Sequence, residues 1–212
     1  ITDLKAVQPP LNGPANDVVR RAWIDFSAQS LTDAYTDMAR YARTLRKDIL
    51  MECNPGGPNE AIRPPVDHGR LLQGGEAFWD EGRESGYFDG KLHTRIRTYK
   101  IARLMKNVAF AYTTTPIEAA EAMAFNLDSL GCICWFEYGK IVVKPGEKQP
   151  ASPDLAPYIK FFHSRRDLLR NAEVVADVAV LRSFASQAFA DPKCRALTGR
   201  VEEGLITNRL PF

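Results

Sequence analysis

Apolar residues near the start of the chain recur at steps of three and four positions over residues 17–46. This spacing places apolar side chains along one side of an amphipathic helix. We therefore predict one long helix over residues 17–46. Its apolar positions are Val18, Ala22, Trp23, Phe26, Leu31, Tyr35, Met38, Ala42 and Leu45.

Four short apolar runs follow this helix, and each is predicted to be a buried strand. Helices are predicted over residues 92–105 and 116–127, and the second begins at a proline, which is favoured in the first turn of a helix. Apolar strands that alternate with helices are typical of a parallel α/β sheet covered on both faces. The predicted strands lie at residues 49–51, 76–82, 108–112 and 131–139.

Prolines and a glycine mark residues 143–157 as the clearest boundary in the chain. This boundary separates a first domain, residues 1–145, from a second domain, residues 158–212. The second domain is predicted to contain a helix over residues 158–171, an apolar strand over residues 174–181 and a helix over residues 201–209. Residues 210–212 are interpreted as the first residues of a further strand.

The number of strands favours a particular architecture for the first domain. A (β/α)8 barrel averages about 250 residues, so four of its units take about 125 residues, close to the span of residues 17–143. We interpret the chain as the C-terminal half of a TIM barrel followed by the beginning of a flavodoxin-like domain, and we expect both parts to be incomplete. A freestanding open four-stranded α/β sheet is the competing interpretation.

Composition and charge mainly exclude classes of partner. Lys and Arg number 28 against 26 Asp and Glu, and these charges are interspersed, so nucleic acid is not an expected partner. No apolar run approaches the roughly 20 residues needed to cross a bilayer, so no membrane partner is predicted. Basic residues at 95–103 are interpreted as the solvent face of a helix. The cysteines are interpreted as buried reduced thiols, and we expect a cytoplasmic protein.

The candidate chemistry lies where the predicted strands end, because α/β barrels and open α/β sheets bind their ligands at the carboxyl ends of strands. Carboxylates beside aromatic rings at these ends suit a sugar, whose C–H face stacks on a ring while acids contact hydroxyl groups. The predicted catalytic residues are Glu52, Glu76 and Glu81. The predicted substrate-binding residues are Asn54, Trp79, Asp80, Tyr112, Trp135 and Glu137.

Glycoside hydrolysis needs two carboxyl groups separated by about 5–5.5 Å or about 6.5–9.5 Å. Glu76 and Asp80 lie roughly 13 Å apart along one extended strand, so the pair must come from neighbouring strands. Glu52 with Glu76, Asp80 or Glu81 satisfies this condition, and an acid from a strand outside this chain is an equal alternative. No nucleotide-binding glycine motif, nucleophile elbow or metal-ligand pattern is present, so neither a cofactor nor a metal is predicted.

The sequence also resembles a known family. Residues 23–41 and 94–100, together with the runs Glu52-Cys53-Asn54-Pro55-Gly56-Gly57 and Glu76-Ala77-Phe78-Trp79, resemble hypothetical barrel glycoside hydrolases related to the β-galactosidase clan. Residues 158–212 resemble the start of the trimerisation domain of those enzymes, which has a class I amidotransferase-like, flavodoxin-like fold. The most specific runs are Ala176-Asp177-Val178-Ala179-Val180-Leu181 and Asn208-Arg209-Leu210-Pro211-Phe212.

The resemblance implies a fragment of a glycoside hydrolase that acts on a carbohydrate substrate and assembles as a homotrimer. In that clan the nucleophile is a Glu at the end of the seventh strand, whereas the corresponding segment here, residues 108–113, has no carboxylate. The alternative function is a noncatalytic glycan-binding or oligomeric assembly module on the same fold. We expect this chain alone not to be an active enzyme.

Overall fold

The computed structural model describes residues 17–55, 66–82, 85–133, 136–137, 140–141, 152–189 and 192–212. These residues form a mixed α/β structure. Its helices are α1 (Val18–Leu45), α2 (His68–Leu71), α3 (Ile96–Leu104), α4 (Pro116–Phe125), α5 (Ala156–Arg170), α6 (Phe184–Phe189) and α7 (Pro192–Thr207). Its strands are β1 (Glu52–Cys53), β2 (Ala77–Asp80), β3 (Gly86–Phe88), β4 (Lys91–His93), β5 (Val108–Thr113), β6 (Cys132–Ile133), β7 (Phe136–Glu137) and β8 (Lys140–Ile141).

Four strands form one parallel sheet in the order β1-β2-β5-β6, which confirms the predicted parallel α/β sheet. Strands β3 and β4 form one antiparallel hairpin, and β7 and β8 form another. Within the described ranges the strands do not close into a barrel. The long helix α1 and the helices α3, α4 and α5 agree with the predicted elements to within a few residues.

The chain divides into two compact units. One unit comprises Ile1–Met38, Ile62–Leu71 and Val174–Phe212. The other, which we call the sheet unit, comprises Ala39–Ala61 and Leu72–Glu173 and contains the parallel sheet.

The core of the sheet unit lies between one face of the parallel sheet and the helices α3, α4 and α5. Phe78 and Tyr99 are its largest members, and both are fully buried. Burying a side chain of this size stabilises a fold by about 1.5–3 kcal/mol. The other core members are Leu72, Ala102, Ala109, Ala122, Leu130 and Phe162.

Successive side chains of the central strands point to opposite faces of the sheet. Phe78 and Asp80 of β2 lie on the helix-covered face and are fully buried. On the opposite face, Trp79 stacks beside Phe110 with ring centroids 6.2 Å apart and meets Tyr112 edge-on at 5.1 Å. The register pairs Trp79 with Phe110, so the three rings form a half-buried aromatic cluster across β2 and β5.

Asn126 fixes the connection between α4 and β6. Its side chain accepts a hydrogen bond from the Ala109 backbone N–H at 3.1 Å and donates to the Ala109 carbonyl at 2.8 Å. The Asn126 amide therefore pairs with the backbone of Ala109, three residues before Tyr112, where the pairing of β5 with β6 begins. Gly131 follows with a φ of +83°, which an L side chain rarely adopts.

The predicted strand over residues 174–181 is wrong. This segment has no strand pairing, and Val175 and Leu181 are 81% and 87% exposed. Its β-branched composition is typical of a buried strand, yet a strand needs a hydrogen-bonded neighbour. The Asp177 N–H of this segment donates a hydrogen bond to the Pro211 carbonyl at 3.2 Å, and Pro211 is not in a strand.

Several further elements differ from the prediction, including the last helix, which begins at Pro192 rather than at residue 201. The first strand begins at Glu52 rather than ending before it, and the hairpin β3–β4 occupies part of the segment predicted as helix over residues 92–105. The predicted fourth strand over residues 131–139 is divided between β6 and β7. Helix α6 was not predicted, because six residues are too few to show a helical period.

Candidate functional site

The candidate site is the edge at which the parallel strands β1, β2, β5 and β6 end, which we call the carboxyl edge. Asn54, Glu81 and Thr114 directly follow the first three of these strands. Ligands of parallel α/β sheets bind at this edge. The chemistry therefore depends on which side chains of the carboxyl edge are accessible and which are already engaged.

Asp80 and Glu81 are adjacent in the sequence but lie in opposite environments. The Asp80 carboxylate is fully buried, accepting a hydrogen bond from the Gly82 N–H at 2.9 Å on one oxygen and from the Thr98 hydroxyl on the other. Glu81, one residue beyond the end of β2, is exposed. Asp80 is therefore held by the fold, whereas Glu81 faces solvent.

A buried ion pair ties together the ends of the two central strands. The Arg95 Nη1 lies 2.8 Å from the Glu118 Oε1, and the two side chains are 3% and 0% exposed. Arg95 also donates to the backbone carbonyls of Tyr112 at 2.8 Å and Gly82 at 2.9 Å. The guanidinium thus links α4 to the residues at the ends of β2 and β5.

Glu118 is the most heavily hydrogen-bonded carboxylate of the carboxyl edge. Its Oε2 accepts from the Thr114 N–H at 2.8 Å, the Thr114 hydroxyl at 3.0 Å and the Thr115 N–H at 3.2 Å. Burial acts to raise the pKa of Glu118, but these donors, the Ser85 N–H and the Arg95 guanidinium outweigh it, so the pKa is lowered. Glu118 is therefore an ionised, structural carboxylate.

Glu121, one turn further along α4, binds the hairpin β3–β4 at its base. It accepts from the Ser85 hydroxyl at 2.6 Å, the Thr94 hydroxyl at 2.7 Å and the Arg95 N–H at 3.3 Å. We call Asp80, Arg95, Glu118 and Glu121 the ion cluster. The cluster contains three carboxyl groups and one guanidinium, and hydroxyl and backbone N–H groups donate hydrogen bonds to the carboxyl oxygens.

Tyr99 borders the ion cluster. The side chain is fully buried, and burial, together with the nearby Glu121, Glu118 and Asp80 carboxylates, raises its pKa despite the opposing effect of Arg95. Its hydroxyl has no hydrogen-bond partner among the described residues. Tyr99 therefore stays neutral at physiological pH.

Glu76 lies at the amino end of β2, so its expected position at the strand end is wrong. Its carboxylate pairs with Arg43 of α1 and accepts a hydrogen bond from the Met51 N–H at 2.8 Å. The apolar run of β2 begins only at Ala77, which leaves Glu76 to fix the start of the strand. The contacts of Glu76 join α1, β1 and β2 at the edge opposite the candidate site.

Glu52 and Asn54 are both exposed. Glu52 lies in β1 and Asn54 directly follows it, and β1 is the edge strand of the sheet opposite β6. The register places Glu52 opposite Ala77. At about 3.3 Å per residue, Glu52 is therefore about 13 Å short of Glu81 along the strand direction. The structure does not bring the three predicted catalytic residues to one point of the carboxyl edge.

The predicted aromatic residues have mixed outcomes. Trp79 and Tyr112 are in contact on the face of the sheet opposite α3, α4 and α5, as described above. The Trp79 Nε1 is buried and has no hydrogen-bond partner within the described ranges. Trp135 and the side chain of Glu137 lie outside the described residues.

Sequence reasoning missed the ion cluster. Arg95 was expected on a solvent face, yet it is 3% exposed, because it lies just before α3 rather than on the outer side of that helix. The run Thr114-Thr115-Pro116-Ile117-Glu118 carried a usable signal, since Thr115 and Glu118 form a capping box at the start of α4. The sequence held no comparable signal for the partnership of Arg95 with Glu118.

Within the described residues, no group of three or more His, Cys, Asp or Glu side chains is arranged to hold a metal ion. A search of the described helices found none with the length and apolar character of a membrane span. Comparisons with protein-family models, curated proteins and solved structures found no match.

Proposed function

We propose that the chain contributes a carbohydrate-binding site at the carboxyl edge of the sheet unit. The observation that carries this proposal is an exposed carboxylate, Glu81, two residues beyond Trp79, whose ring contacts Tyr112. Ring faces bind the apolar side of a sugar, and an exposed carboxylate accepts hydrogen bonds from its hydroxyl groups. The ligand class is thus a neutral saccharide.

The strand order supports the proposal that the sheet is an arc of a (β/α)8 barrel. The parallel strands succeed one another as β1-β2-β5-β6 with no reversal of order once the hairpin β3–β4 is set aside. A barrel has this sequential order, whereas a doubly wound sheet reverses it at a switch point. In a barrel, the half-buried rings of Trp79, Phe110 and Tyr112 lie on the face that points inward.

The engagement of the carboxylates favours binding over hydrolysis. Asp80 and Glu118 accept hydrogen bonds from donors that the fold already supplies, and Glu76 lies at the amino edge. Hydrolysis needs two carboxyl groups within about 10 Å of each other at the same ligand. A hydrolase remains the second candidate, because Glu81 occupies the strand-end position at which barrel enzymes carry catalytic acids.

Calorimetric titration of the full chain with β-1,4-galactotetraose, cellotetraose and xylotetraose tests the proposal. We expect at least one of them to bind, and Glu81→Gln to weaken that binding about tenfold, equivalent to about 1.4 kcal/mol. Glu173→Gln, at another exposed glutamate of the sheet unit, is the matched control and leaves affinity unchanged.

Two results would overturn the proposal: no binding of any of the three saccharides, or equal binding by the wild-type chain and Glu81→Gln. The same samples, incubated with p-nitrophenyl β-galactoside and p-nitrophenyl β-glucoside, separate the two candidate functions. Release of nitrophenol that disappears in Glu81→Gln would favour the hydrolase, and binding without release would favour the binding module.

A further inference from the structure

The hairpin β3–β4 is a compact insertion between β2 and α3. Its two-residue turn, Asp89-Gly90, has φ values of +53° and +72°. Positive φ at both central positions belongs to a type I′ turn, which matches the twist of a hairpin, and Asp-Gly is a favoured sequence for it. The sequence of the turn therefore favours the hairpin conformation locally.

Both ends of the hairpin are fixed to the same helix. Ser85, just before β3, donates its N–H to Glu118 at 3.2 Å and its hydroxyl to Glu121 at 2.6 Å. Thr94, just after β4, donates its hydroxyl to Glu121 at 2.7 Å. One carboxylate of α4 therefore closes the base of the hairpin, which limits its motion relative to the sheet.

The base of the hairpin lies at the carboxyl edge. Arg95 directly follows Thr94, and its guanidinium binds the carbonyls of Gly82 and Tyr112, near the ends of β2 and β5. A ligand bound near Glu81 would thus lie close to the point from which the hairpin projects.

The two faces of the hairpin differ. On one face the rings of Phe88 and His93 meet edge-on at 5.6 Å, and both side chains are half-buried. A Cβ at Gly86 would lie 3.3 Å from the Phe88 ring, so the absence of a side chain there lets the ring pack over the strand. On the other face Tyr87, paired in register with Leu92, is 64% exposed.

We propose that Tyr87 forms an outer sugar subsite, in which its ring stacks on a saccharide unit that extends away from Glu81. This inference rests on the proposed carbohydrate-binding function and adds a specificity for longer chains. A ring on a rigid support loses little conformational entropy on binding, because the hairpin is already ordered by its turn and its base. The ligand is therefore an oligosaccharide rather than a single sugar.

Calorimetric titration of Tyr87→Ala tests the inference, using whichever tetrasaccharide of the panel binds and its own disaccharide: galactobiose, cellobiose or xylobiose. We expect Tyr87→Ala to weaken tetrasaccharide binding about tenfold and to leave disaccharide binding unchanged. Tyr87→Phe should bind like the wild-type chain, because it keeps the ring. Tyr41→Ala is the matched control, since Tyr41 is 66% exposed on α1.

Tyr87→Thr removes the ring but keeps a residue of high strand propensity, so it distinguishes loss of the ring from local unfolding of the hairpin in Tyr87→Ala. Unchanged tetrasaccharide affinity in both Tyr87→Ala and Tyr87→Thr would overturn the inference, as would an equal loss for the two ligand lengths. If Glu81→Gln weakens binding and the Tyr87 variants do not, the subsite fails while the proposed function stands. If the wild-type chain binds no saccharide, both fail.

Discussion

The two faces of the parallel sheet place their polar groups in contrasting settings. On the helix-covered face, Asp80 is fully buried, and its oxygens accept hydrogen bonds from Gly82 and Thr98. On the other face, Trp79 and Tyr112 form half-buried ring contacts, and the exposed Glu81 follows β2 two residues after Trp79. A carboxylate engaged by the fold is unavailable to a ligand, so Asp80 contributes to holding the unit together, whereas the proposed ligand contacts come from Trp79, Tyr112 and Glu81.

The largest expected effect concerns the buried ion pair. Glu118→Gln leaves the Arg95 guanidinium without its contacting carboxylate in a site where Arg95 is 3% exposed. Removing one partner of a buried pair costs about 3–5 kcal/mol of unfolding free energy. Urea denaturation followed by circular dichroism measures this loss. A decrease below about 1 kcal/mol would contradict a structural role for the pair.

The position before β6 gives the next effect. Gly131 has a φ of +83°, and a Cβ there would lie 2.6 Å from the Ala111 carbonyl oxygen. Because backbone rather than a flexible side chain is in the way, Gly131→Ala should destabilise the sheet unit by about 1–3 kcal/mol. Gly90→Ala is a useful comparison in the same denaturation series. Gly90 also has a positive φ, +72°, but a Cβ there would meet nothing within 4 Å.

The pH dependence of stability reports on the buried carboxylate Glu118. The folded-state pKa of Glu118 is lowered, so ionised Glu118 adds to the free energy of unfolding. This stabilisation is complete above the unfolded-state pKa, about 4.3, and is lost as the pH falls through the folded-state pKa. The difference in unfolding free energy between the wild-type chain and Glu118→Gln should therefore stay constant near neutral pH and shrink below about pH 4.3. Denaturation curves at a series of pH values measure it. A difference that grows on acidification would contradict this prediction.

The smallest effect is expected for a more exposed ion pair. Asp128 is contacted by Arg166 at 2.8 Å and by Arg170 at 2.6 Å, and the two arginines are 46% and 49% exposed. The Arg166 hydrogen bond lowers the pKa of Asp128. Exposed pairs contribute little, so Asp128→Asn should cost about 0–1 kcal/mol, measured by the same denaturation assay. A loss of unfolding free energy as large as that of Glu118→Gln would contradict the smaller contribution expected for exposed pairs.

The elements with a clear period could be predicted from the sequence. Helix α1 and strand β5 were both expected close to their observed bounds. The predicted apolar side of α1 is wrong in detail, because Phe26 and Met38 are 62% and 59% exposed whereas Ile24, Ala28 and Ala39 are buried. The segment at residues 174–181 shows the limit of this reasoning. Its composition indicates a strand, but pairing depends on a neighbouring segment that local sequence does not specify.

The candidate site was harder to predict than the fold. Asp80 and Glu81 look equivalent in the sequence, and only the end of β2 and the positions of Thr98 and Gly82 separate a buried carboxylate from an exposed one. Arg95 and Glu118 are 23 residues apart, so their contact depends on how α3 and α4 pack against the sheet. Glu76 was misplaced because β2 begins after it, at Ala77.

Asp80 is expected to stabilise the fold and Glu81 to contact the ligand, and calorimetric titration of Asp80→Asn and Glu81→Gln separates these two roles. With the tetrasaccharide that the wild-type chain binds, we expect Glu81→Gln to lose about tenfold in affinity. Folded Asp80→Asn should bind within about twofold of the wild-type chain, equivalent to about 0.4 kcal/mol. The reverse result, full affinity in Glu81→Gln and lost affinity in folded Asp80→Asn, would contradict the claim.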